Sequence, residues 1–134
     1  YTICDDIGVV LNPMMVTGQI HGGVAQGLGQ ALYEGTVYDE ESGQLVSGSF
    51  MDYTVPRADH LPFVDVTLTG IPCETHPMGF IGAGEAGAIG APPAAISAVI
   101  DALSDLGITE VDMPATPQKI WNLIQGAAQP LAAE

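Results

Sequence analysis

Glu85 is a lone carboxylate inside a loop made almost entirely of glycine and alanine. The stretch GFIGAGEAGAIGAPPAA covers residues 79–95, and Glu85 is the only Asp, Glu, Lys or Arg between Glu74 and Asp101. Glycine lets the main chain approach a ligand closely, and a carboxylate held at such a place can act as a general base. The loop therefore makes Glu85 a candidate catalytic residue.

Two other interpretations of this loop stay open on the residues alone. Gly82, Gly84 and Gly87 spell GxGxxG, the fingerprint of a dinucleotide-binding turn. That motif follows a buried strand directly, whereas Pro77 and Gly79 interrupt the segment before it. The second interpretation is a tight crossing of the chain in which the carboxylate simply points to water.

The start of the next helix bears on the dinucleotide interpretation. Pro92 and Pro93 predict a helix that begins at these prolines, several residues after the glycine loop. A pyrophosphate site needs the helix to begin at the loop, because the N-terminal amides bind the phosphates. Asp112, after ITEV, can imitate the acid that binds the ribose. The residue at which this helix begins therefore tests the dinucleotide-binding interpretation directly.

Composition excludes some classes of partner. The 134 residues carry 2 Lys or Arg against 16 Asp or Glu, a net charge of −14, so charge-driven binding to nucleic acid or to an anionic membrane is excluded. With 47% hydrophobic residues the chain can bury a core. Cys4 and Cys73 form neither a zinc motif nor a disulfide framework, and we expect both to be reduced. No run approaches the roughly 20 apolar residues of a membrane span, which predicts a cytoplasmic protein.

A long glycine-rich helix should carry part of the site. Asn12 and Pro13 predict its cap and first turn, and the helix should run from Pro13 to about Tyr33. An apolar stripe of helical period follows it, made of Ile20, Val24, Leu28 and Leu32. Each interior glycine costs roughly 0.5 to 1 kcal/mol against alanine. We therefore expect another backbone or a bulky ligand to approach this helix closely.

The remaining patterns predict an α+β fold with a mixed sheet. Residues 1–11 are β-type, DEESG marks a hairpin turn, and residues 62–70 alternate apolar with polar side chains as a half-buried strand does. Apolar positions from Ile96 to Leu106 form a second helical stripe that should end at Gly107. A third helix should begin after Thr116 and run to about Gln125. Because Tyr1 already lies in a predicted strand, we expect a piece of something longer.

Four collinear stretches resemble one enzyme family. They read GQIHGGVAQGLGQALYE, GSFMDYTVPRAD, FIGAGEAGAIGAPPAAISAVIDAL and MPATPQKIW. In this order they resemble the C-terminal part of the large subunit of the molybdenum hydroxylases, which include xanthine dehydrogenase, aldehyde oxidoreductases and aerobic carbon monoxide dehydrogenases. The resemblance runs from about Tyr1 to Gln125. It implies that residues 1–126 form one lobe of the molybdopterin-binding region and that 127–134 are a frayed tail.

The resemblance also implies roles for particular residues. Glu85 matches the family's active-site glutamate, which lies beside the molybdenum and acts as general base. Residues 81–84, in the family's pattern, contact the pterin cofactor through their backbone; these are Ile81, Gly82, Ala83 and Gly84. Gln26 matches a glutamine at the metal's ligands or the pterin, and Gln19 is expected nearby. The pterin holds the metal, so no protein metal ligand is implied.

Cofactors and partners follow from the same resemblance. The complete enzyme would hold a molybdenum–pterin cofactor, while iron–sulfur clusters and FAD belong to partner subunits or domains. Its reaction would hydroxylate an aldehyde, a purine or another N-heterocycle, or oxidise carbon monoxide, and the sequence does not select among these substrates. The copper-binding cysteine of carbon monoxide dehydrogenases lies upstream of the matching region. The alternative is an assembly or binding module that keeps the fold without the chemistry.

Overall fold

The computed structural model describes residues 2–128. Its regular elements are three α-helices joined by long extended segments and turns. They are α1, Pro13–Leu32; α2, Ala86–Leu103; and α3, Pro117–Ala128; single 3₁₀ turns lie at Ala58–His60 and Ser104–Leu106.

The first helix confirms the prediction. The side chain of Asn12 accepts a hydrogen bond from the N–H of Met15 at 3.2 Å, and Pro13 occupies the first turn. Asparagine caps helices in this way because its oxygen satisfies an amide that lacks an intrahelical partner. The helix ends at Leu32, one residue before the predicted end.

The predicted start of α2 is wrong. The helix begins at Ala86, directly after Glu85, and Pro92 and Pro93 lie inside it. Proline inside a helix removes a hydrogen bond and is unfavourable. Here packing against α1 opposes that cost: a methyl group built on Gly27 would lie 2.9 Å from Cδ of Pro92. The proline ring therefore belongs to the contact between the two helices, and tertiary packing outweighs local propensity.

Glycines bring α1 and α2 into backbone contact. A Cβ atom built on Gly23 would lie 2.9 Å from the amide nitrogen of Ala88, and one on Gly87 would overlap the carbonyl oxygen of Ile20. Distances below 3.0 Å leave no room for a side chain at either position. The glycines of α1 that face α2 are thus explained by the approach of another backbone, one of the two expected reasons.

The core lies where α2, the chain after it and α3 meet. Ile108, Val111 and Ala115 are buried at its centre. Half-buried apolar side chains surround them: Leu32, Ile96, Val99, Ile100, Leu103, Ile120, Leu123 and Ile124. The predicted stripe is therefore confirmed from Ile96 to Leu103, whereas Leu106, in the 3₁₀ turn after α2, is 47% exposed and lies outside this core.

The ends of α2 and α3 follow local signals. Gly107 has φ 74° and donates its N–H to the carbonyl of Ser104, which ends the 3₁₀ turn after α2 as predicted. Thr116 caps α3, because its hydroxyl accepts from the N–H of Lys119 at 3.3 Å. The helix continues to Ala128, three residues past the predicted Gln125. Residues 129–134, most of the predicted tail, lie outside the described part of the chain.

The predicted mixed sheet is not found within residues 2–128. Backbone pairing there is limited to two isolated antiparallel bridges, Gly8 with Phe80 and Tyr38 with Leu45. The second bridge belongs to the hairpin expected at DEESG, where the N–H of Asp39 donates to the carbonyl of Gln44 at 2.8 Å. The turn is confirmed, but the strands beside it do not extend into a ladder.

Residues 63–70 show why the sheet prediction failed. Val64, Val66 and Leu68 are half-buried and Asp65 and Thr67 are exposed, so the alternation is present. Alternation reports which face is covered, whereas a sheet also needs a second chain about 4.7–4.9 Å away to complete the hydrogen bonds. Within the described chain this second condition is not met.

By length and composition, one helical stretch within residues 2–128 could span a membrane. The stretch Ala86–Leu106 is long and apolar enough, a property shared by core helices of soluble proteins. Here one face of α2 packs against α1 and the core cluster, whereas Ile89 on another face is exposed. The expectation that no stretch has the length and apolar composition of a membrane span is therefore wrong for Ala86–Leu106.

Candidate functional site

Glu85 lies at the N-cap of α2. Its backbone has φ −115° and ψ 2°, and its carbonyl accepts the N–H of Ala88 at 2.9 Å. The side chain forms no capping bond and is exposed. Within residues 2–128 no hydrogen bond to this carboxylate is found. The carboxylate is therefore available to an external group, and the amides of the first turn of α2 lie beside it.

A depression of about 410 Å³ opens beside Glu85. Besides Glu85, its lining is made of the N-terminal segment, the glycine loop and the start of α2: Asp5, Asp6, Ile7, Gly82, Gly84, Ala86 and Ile89. The N-terminal segment was not among the residues expected at the site. The depression is therefore built by two segments that are distant in sequence.

Asp6 holds the N-terminal segment in place. Its carboxylate accepts the N–H of Gly8 at 2.9 Å and that of Ile71 at 3.1 Å. Aspartate commonly bonds the amide two residues ahead in turns, so Asp-x-Gly was the sequence signal that could have identified this role. Asp5 is exposed and remains a charged wall of the depression.

A second cavity, of about 320 Å³, also borders the loop and shares Ile7 and Gly84 with the first. It brings together Gln19, Ile81, Ala83 and Gly84, four of the residues expected at the site, with apolar neighbours that include Phe80 and Met15. The structure thus places Gln19 beside the loop. Gln26 lines neither cavity and is exposed two turns farther along α1, about 10 Å away along the axis but on the same helix face.

Gly82 and Gly84, which line these cavities, and Gly22 on α1 have no steric reason to be glycine within the described chain. A methyl group built on Gly82, Gly84 or Gly22 would meet no atom within 4 Å. None of the three has a positive φ, unlike Gly8, for example, with φ 68°. Glycine at such a position is compatible with a group that approaches the main chain from outside.

The geometry also bears on the alternatives for the loop. Because α2 begins at Ala86, the helix start no longer argues against a dinucleotide turn. The strand that this turn requires is absent from the described chain before Gly82, where Phe80 makes only an isolated bridge. A solvated carboxylate is consistent with the exposure of Glu85, but it does not account for the open glycines on either side.

Other polar residues have local roles. The ring of His76 accepts the N–H of Met78 at 3.2 Å, and its centroid lies 4.0 Å from that of the Phe80 ring. The Thr75 hydroxyl, 3.2 Å from the Cys73 sulfur, lowers the pKa of that thiol. Cys4 and Cys73 are unpaired. Within residues 2–128, no group of three or more His, Cys, Asp or Glu is placed to hold a metal ion.

Comparison with known proteins gives consistent matches. Residues 1–62 match the family model described as a molybdopterin cofactor-binding domain. The chain is 42% identical over 122 residues to the nicotine 6-hydroxylase large subunit of Paenarthrobacter nicotinovorans, covering 91% of the chain and 15% of that protein. It is 36% identical over 121 residues to the carbon monoxide dehydrogenase large chain of Hydrogenophaga pseudoflava, covering 90% and 15%.

A solved structure shares the fold. The crystal structure of quinoline 2-oxidoreductase from Pseudomonas putida 86 superimposes with a TM-score of 0.84 at 41% sequence identity, covering 93% of this chain and 16% of that one. The chain thus spans about 15% of the length of the curated relatives named here. The family model includes α1, with Gln19 and Gln26, whereas the Glu85 loop lies outside its match.

Proposed function

We propose that this chain, which belongs to the molybdenum hydroxylase large subunits, forms one side of a molybdopterin site and supplies its general base, Glu85. The complete enzyme would oxidise a small molecule such as an aldehyde, a purine or another N-heterocycle, or carbon monoxide. The relatives include a nicotine 6-hydroxylase and a carbon monoxide dehydrogenase. Because they differ in substrate, we leave the substrate unassigned within this set.

The open glycines carry the proposal. Gly82 and Gly84 have neither a positive φ nor a neighbouring atom that would exclude a methyl group. A planar pterin that binds through main-chain N–H and C=O groups needs this clearance. The loop therefore fits the cofactor: residues 81–84 would contact it through their backbone, the amide of Gln19 would reach it from beside the loop, and that of Gln26 would reach it from farther along the same face of α1.

Glu85 is suited to accept a proton at this place. Its carboxylate is exposed beside the glycine loop, and no hydrogen bond holds it within residues 2–128. When bound, the molybdenum–pterin group would supply the redox chemistry. The role of this chain would be to bind the pterin and to hold Glu85 at the first turn of α2. There a carboxylate oxygen of Glu85 would accept a proton. Such general-base catalysis typically contributes about 10²- to 10⁴-fold.

The same proposal includes partners. The rest of the large subunit would complete the pterin site, and iron–sulfur and flavin groups on partner subunits or domains would carry the electrons away. The assembly would be cytoplasmic. The large-subunit names of the relatives support a multi-subunit enzyme.

Replacing Glu85 in the complete enzyme tests the assignment. Glu85→Gln keeps the size of the side chain and removes the proton acceptor, so molybdenum should be retained while kcat falls about 100-fold or more. The matched control is Glu74→Gln, because Glu74 is also an exposed loop carboxylate but lines neither cavity beside the glycine loop. It should keep near-parent kcat.

Molybdenum content must be measured in each variant, since lost metal imitates lost chemistry. If Glu85→Gln retains its metal and turns over at the parent rate, the general-base role is wrong. A complete subunit that assembles with its partners yet never holds molybdenum would favour the non-catalytic alternative.

A further inference from the structure

Three segments of the chain meet where the glycine loop begins. We call this meeting point the loop anchor; it is formed by residues 6–9, 70–73 and 79–81. The carbonyl of Ile7 accepts the N–H of Ile81 at 2.9 Å. The carbonyl of Gly79 accepts two N–H groups, those of Val9 and Cys73, each at 2.9 Å. The main chain that enters the glycine loop is therefore held by two segments that are distant from it in sequence or separated from it by a turn.

The loop anchor is closely packed at its glycines. A Cβ atom built on Gly8 would overlap the carbonyl oxygen of Gly79, and one built on Gly70 would overlap the carbonyl oxygen of Gly8. Ile7 and Gly8 are buried in this contact. The main chains of the three segments thus touch, and little space is left for one of them to shift alone.

Asp6 ties two of these segments together through a single atom. Its Oδ1 oxygen accepts the N–H of Gly8 at 2.9 Å and the N–H of Ile71 at 3.1 Å. Hydrogen bonds to an ionised acceptor are roughly twice as strong as those between neutral groups. Among residues 2–128, no other side chain forms a hydrogen bond between two segments of the loop anchor. Asp6 is therefore the side chain on which the arrangement of these segments depends.

A short linker joins the loop anchor to Glu85. It consists of residues 82–84, and within the described chain its main chain makes no backbone–backbone hydrogen bond. Three residues reach at most about 10–11 Å, so the course of the linker is set by its two ends. One end is α2, which begins directly after Glu85, and the other is Ile81 in the loop anchor. A shift of Ile81 would therefore move the linker backbone as well.

We propose that Asp6 is a positioning residue of the molybdopterin site, an inference that rests on the proposed function. It acts through the loop anchor. By holding residues 6–9 against 70–73, Asp6 fixes Ile81, and Ile81 fixes where the backbone of residues 82–84 meets the cofactor. The role belongs to the hydrogen-bonded oxygen of Asp6 and not to its charge.

Two substitutions of Asp6 in the complete enzyme test this role. Asp6→Ala removes both hydrogen bonds, so the amides of Val9 and Ile81 should exchange roughly 10-fold faster or more, because local opening exposes them. Turnover per bound molybdenum should fall by roughly 10- to 100-fold, since a misplacement of about 1 Å can cost about 100-fold. Asp6→Asn should restore both properties, because its one carbonyl oxygen can accept both N–H groups. Residue-resolved hydrogen exchange, elemental analysis and steady-state kinetics measure these effects.

Asp39→Ala is the matched control. Asp39 also accepts two hydrogen bonds, from the N–H and the hydroxyl of Ser42 at 2.9 and 2.6 Å, but it lies in the hairpin turn and lines neither cavity at the loop. It should leave exchange at Ile81 and turnover per molybdenum near the parent values. Equal losses in Asp39→Ala and Asp6→Ala would identify general destabilisation and overturn the proposal. So would an Asp6→Asn variant as impaired as Asp6→Ala, since charge would then be the cause.

A second variant covers the case in which Asp6→Ala does not assemble. The hydroxyl of Asp6→Ser can still accept the N–H two residues ahead, but its shorter side chain should lose the bond to Ile71. This variant should also show faster exchange at Ile81 and reduced turnover per molybdenum. Parent values for both would overturn the proposal.

Glu85→Gln in the same assays keeps this proposal apart from the proposed function. Parent exchange at Ile81 and parent turnover in Asp6→Ala, beside an inactive Glu85→Gln, would disprove only the positioning role. Faster exchange and reduced turnover per molybdenum in Asp6→Ala, beside a fully active Glu85→Gln, would support the positioning role and disprove only the general base.

Discussion

At the scale of single residues, glycine has three separate uses in this chain. Gly8, Gly79 and Gly107 adopt positive φ values of 68°, 72° and 74°, which side chains other than glycine rarely adopt. Gly23 and Gly87 leave space for a neighbouring helix. A third group meets neither condition and includes Gly82, Gly84 and Gly22. Because glycine lowers stability wherever its freedom is not needed, the two members of this group that line the cavities, Gly82 and Gly84, are compatible with a ligand, whereas Gly126 is equally open on α3 and lines neither cavity.

Replacing a glycine of the third group should separate stability from cofactor binding. Gly82→Ala should leave the free energy of unfolding unchanged or raise it by about 0.4–1 kcal/mol, because the unfolded chain loses freedom and no clash arises. In the complete subunit the added methyl group should lower the molybdenum content. Urea denaturation and elemental analysis measure the two effects.

Gly126→Ala is the control for this change, since Gly126 is equally open and lies on α3 away from the loop. It should keep full molybdenum content. A Gly82→Ala subunit with the parent's molybdenum content would show that the clearance at Gly82 has no role in binding.

Tyr53 provides a prediction about pH. Its hydroxyl donates a hydrogen bond to Glu34 at the end of α1, and this bond, with smaller contributions from burial and the nearby negative charge, raises the pKa of Tyr53 above 10.0. A raised pKa means that the contact contributes stability below pH 10 and loses it as pH rises through the higher value. Titration of phenolate absorbance should show one tyrosine ionising late, and Tyr53→Phe should remove that component.

Glu34→Ala should return the late tyrosine toward its ordinary pKa of 10.0. Glu41→Ala, in the exposed hairpin turn, should not change it. A late component that persists in Glu34→Ala would assign the shift to another cause.

At the scale of elements, the contact between α1 and α2 fixes the position of Glu85. The N-cap of α2 precedes Gly87, which packs on the backbone of α1 near Ile20 and Val24. Any shift of the two helices would therefore move the carboxylate relative to Gln19, which lies on α1. The close contact of α1 and α2 at Gly23 and Gly87, which we call the glycine seam, thus also positions the candidate base.

Two adjacent glycines of α1 test this contact. Gly23→Ala should lower the free energy of unfolding by about 1–3 kcal/mol, because the methyl group would press on the main chain of α2. Gly22→Ala should raise it by about 0.5–1 kcal/mol, because Gly22 faces open space. Urea denaturation followed by circular dichroism measures both variants, and equal effects would mean that the seam does not hold the helices together.

The same elements explain which features were predictable. The cap at Asn12 and the stop at Gly107 depend on neighbouring residues, so local patterns predicted them correctly. The start of α2 depends on the fit of Pro92 against Gly27, a contact between distant residues, and the prediction failed there. The sheet failed for a related reason, because the alternation of residues 63–70 shows burial but not whether a partner strand is present.

For the candidate site, too, residues that are neighbours in sequence were predicted together, whereas contributions from distant segments were not. The loop 81–84 and Glu85 are contiguous, and the structure places them at adjacent cavities with Gln19. Gln26 lies farther along α1, outside both cavities. The turn at Asp6 had a local Asp-x-Gly signal, but the contact of Asp6 with Ile71, which fixes the N-terminal segment at the site, joins distant residues and no local pattern indicated it.

At the scale of the whole molecule, the chain combines strong negative charge with large exposed apolar side chains. Its net charge is −14, yet Phe50, Met51 and Phe63 are 86%, 92% and 91% exposed. Extensive exposed apolar surface marks an interaction site in most proteins. In the proposed function these side chains would contact the rest of the large subunit, and in the isolated chain they are left to water.

We therefore expect the isolated chain to self-associate, and to do so more strongly as salt rises. Apolar contacts favour association, whereas repulsion between chains of charge −14 opposes it. That repulsion is screened over about 10 Å at 0.1 M salt and about 3 Å at 1 M. Light scattering across protein and salt concentrations should show an apparent mass that increases with both.

Replacing Phe50 and Met51 together by serine should reduce the increase, whereas Glu40→Gln, which removes one charge from the exposed turn, should not reduce it. A monomer at every concentration and salt level would mean that the exposed apolar side chains do not form an interaction surface.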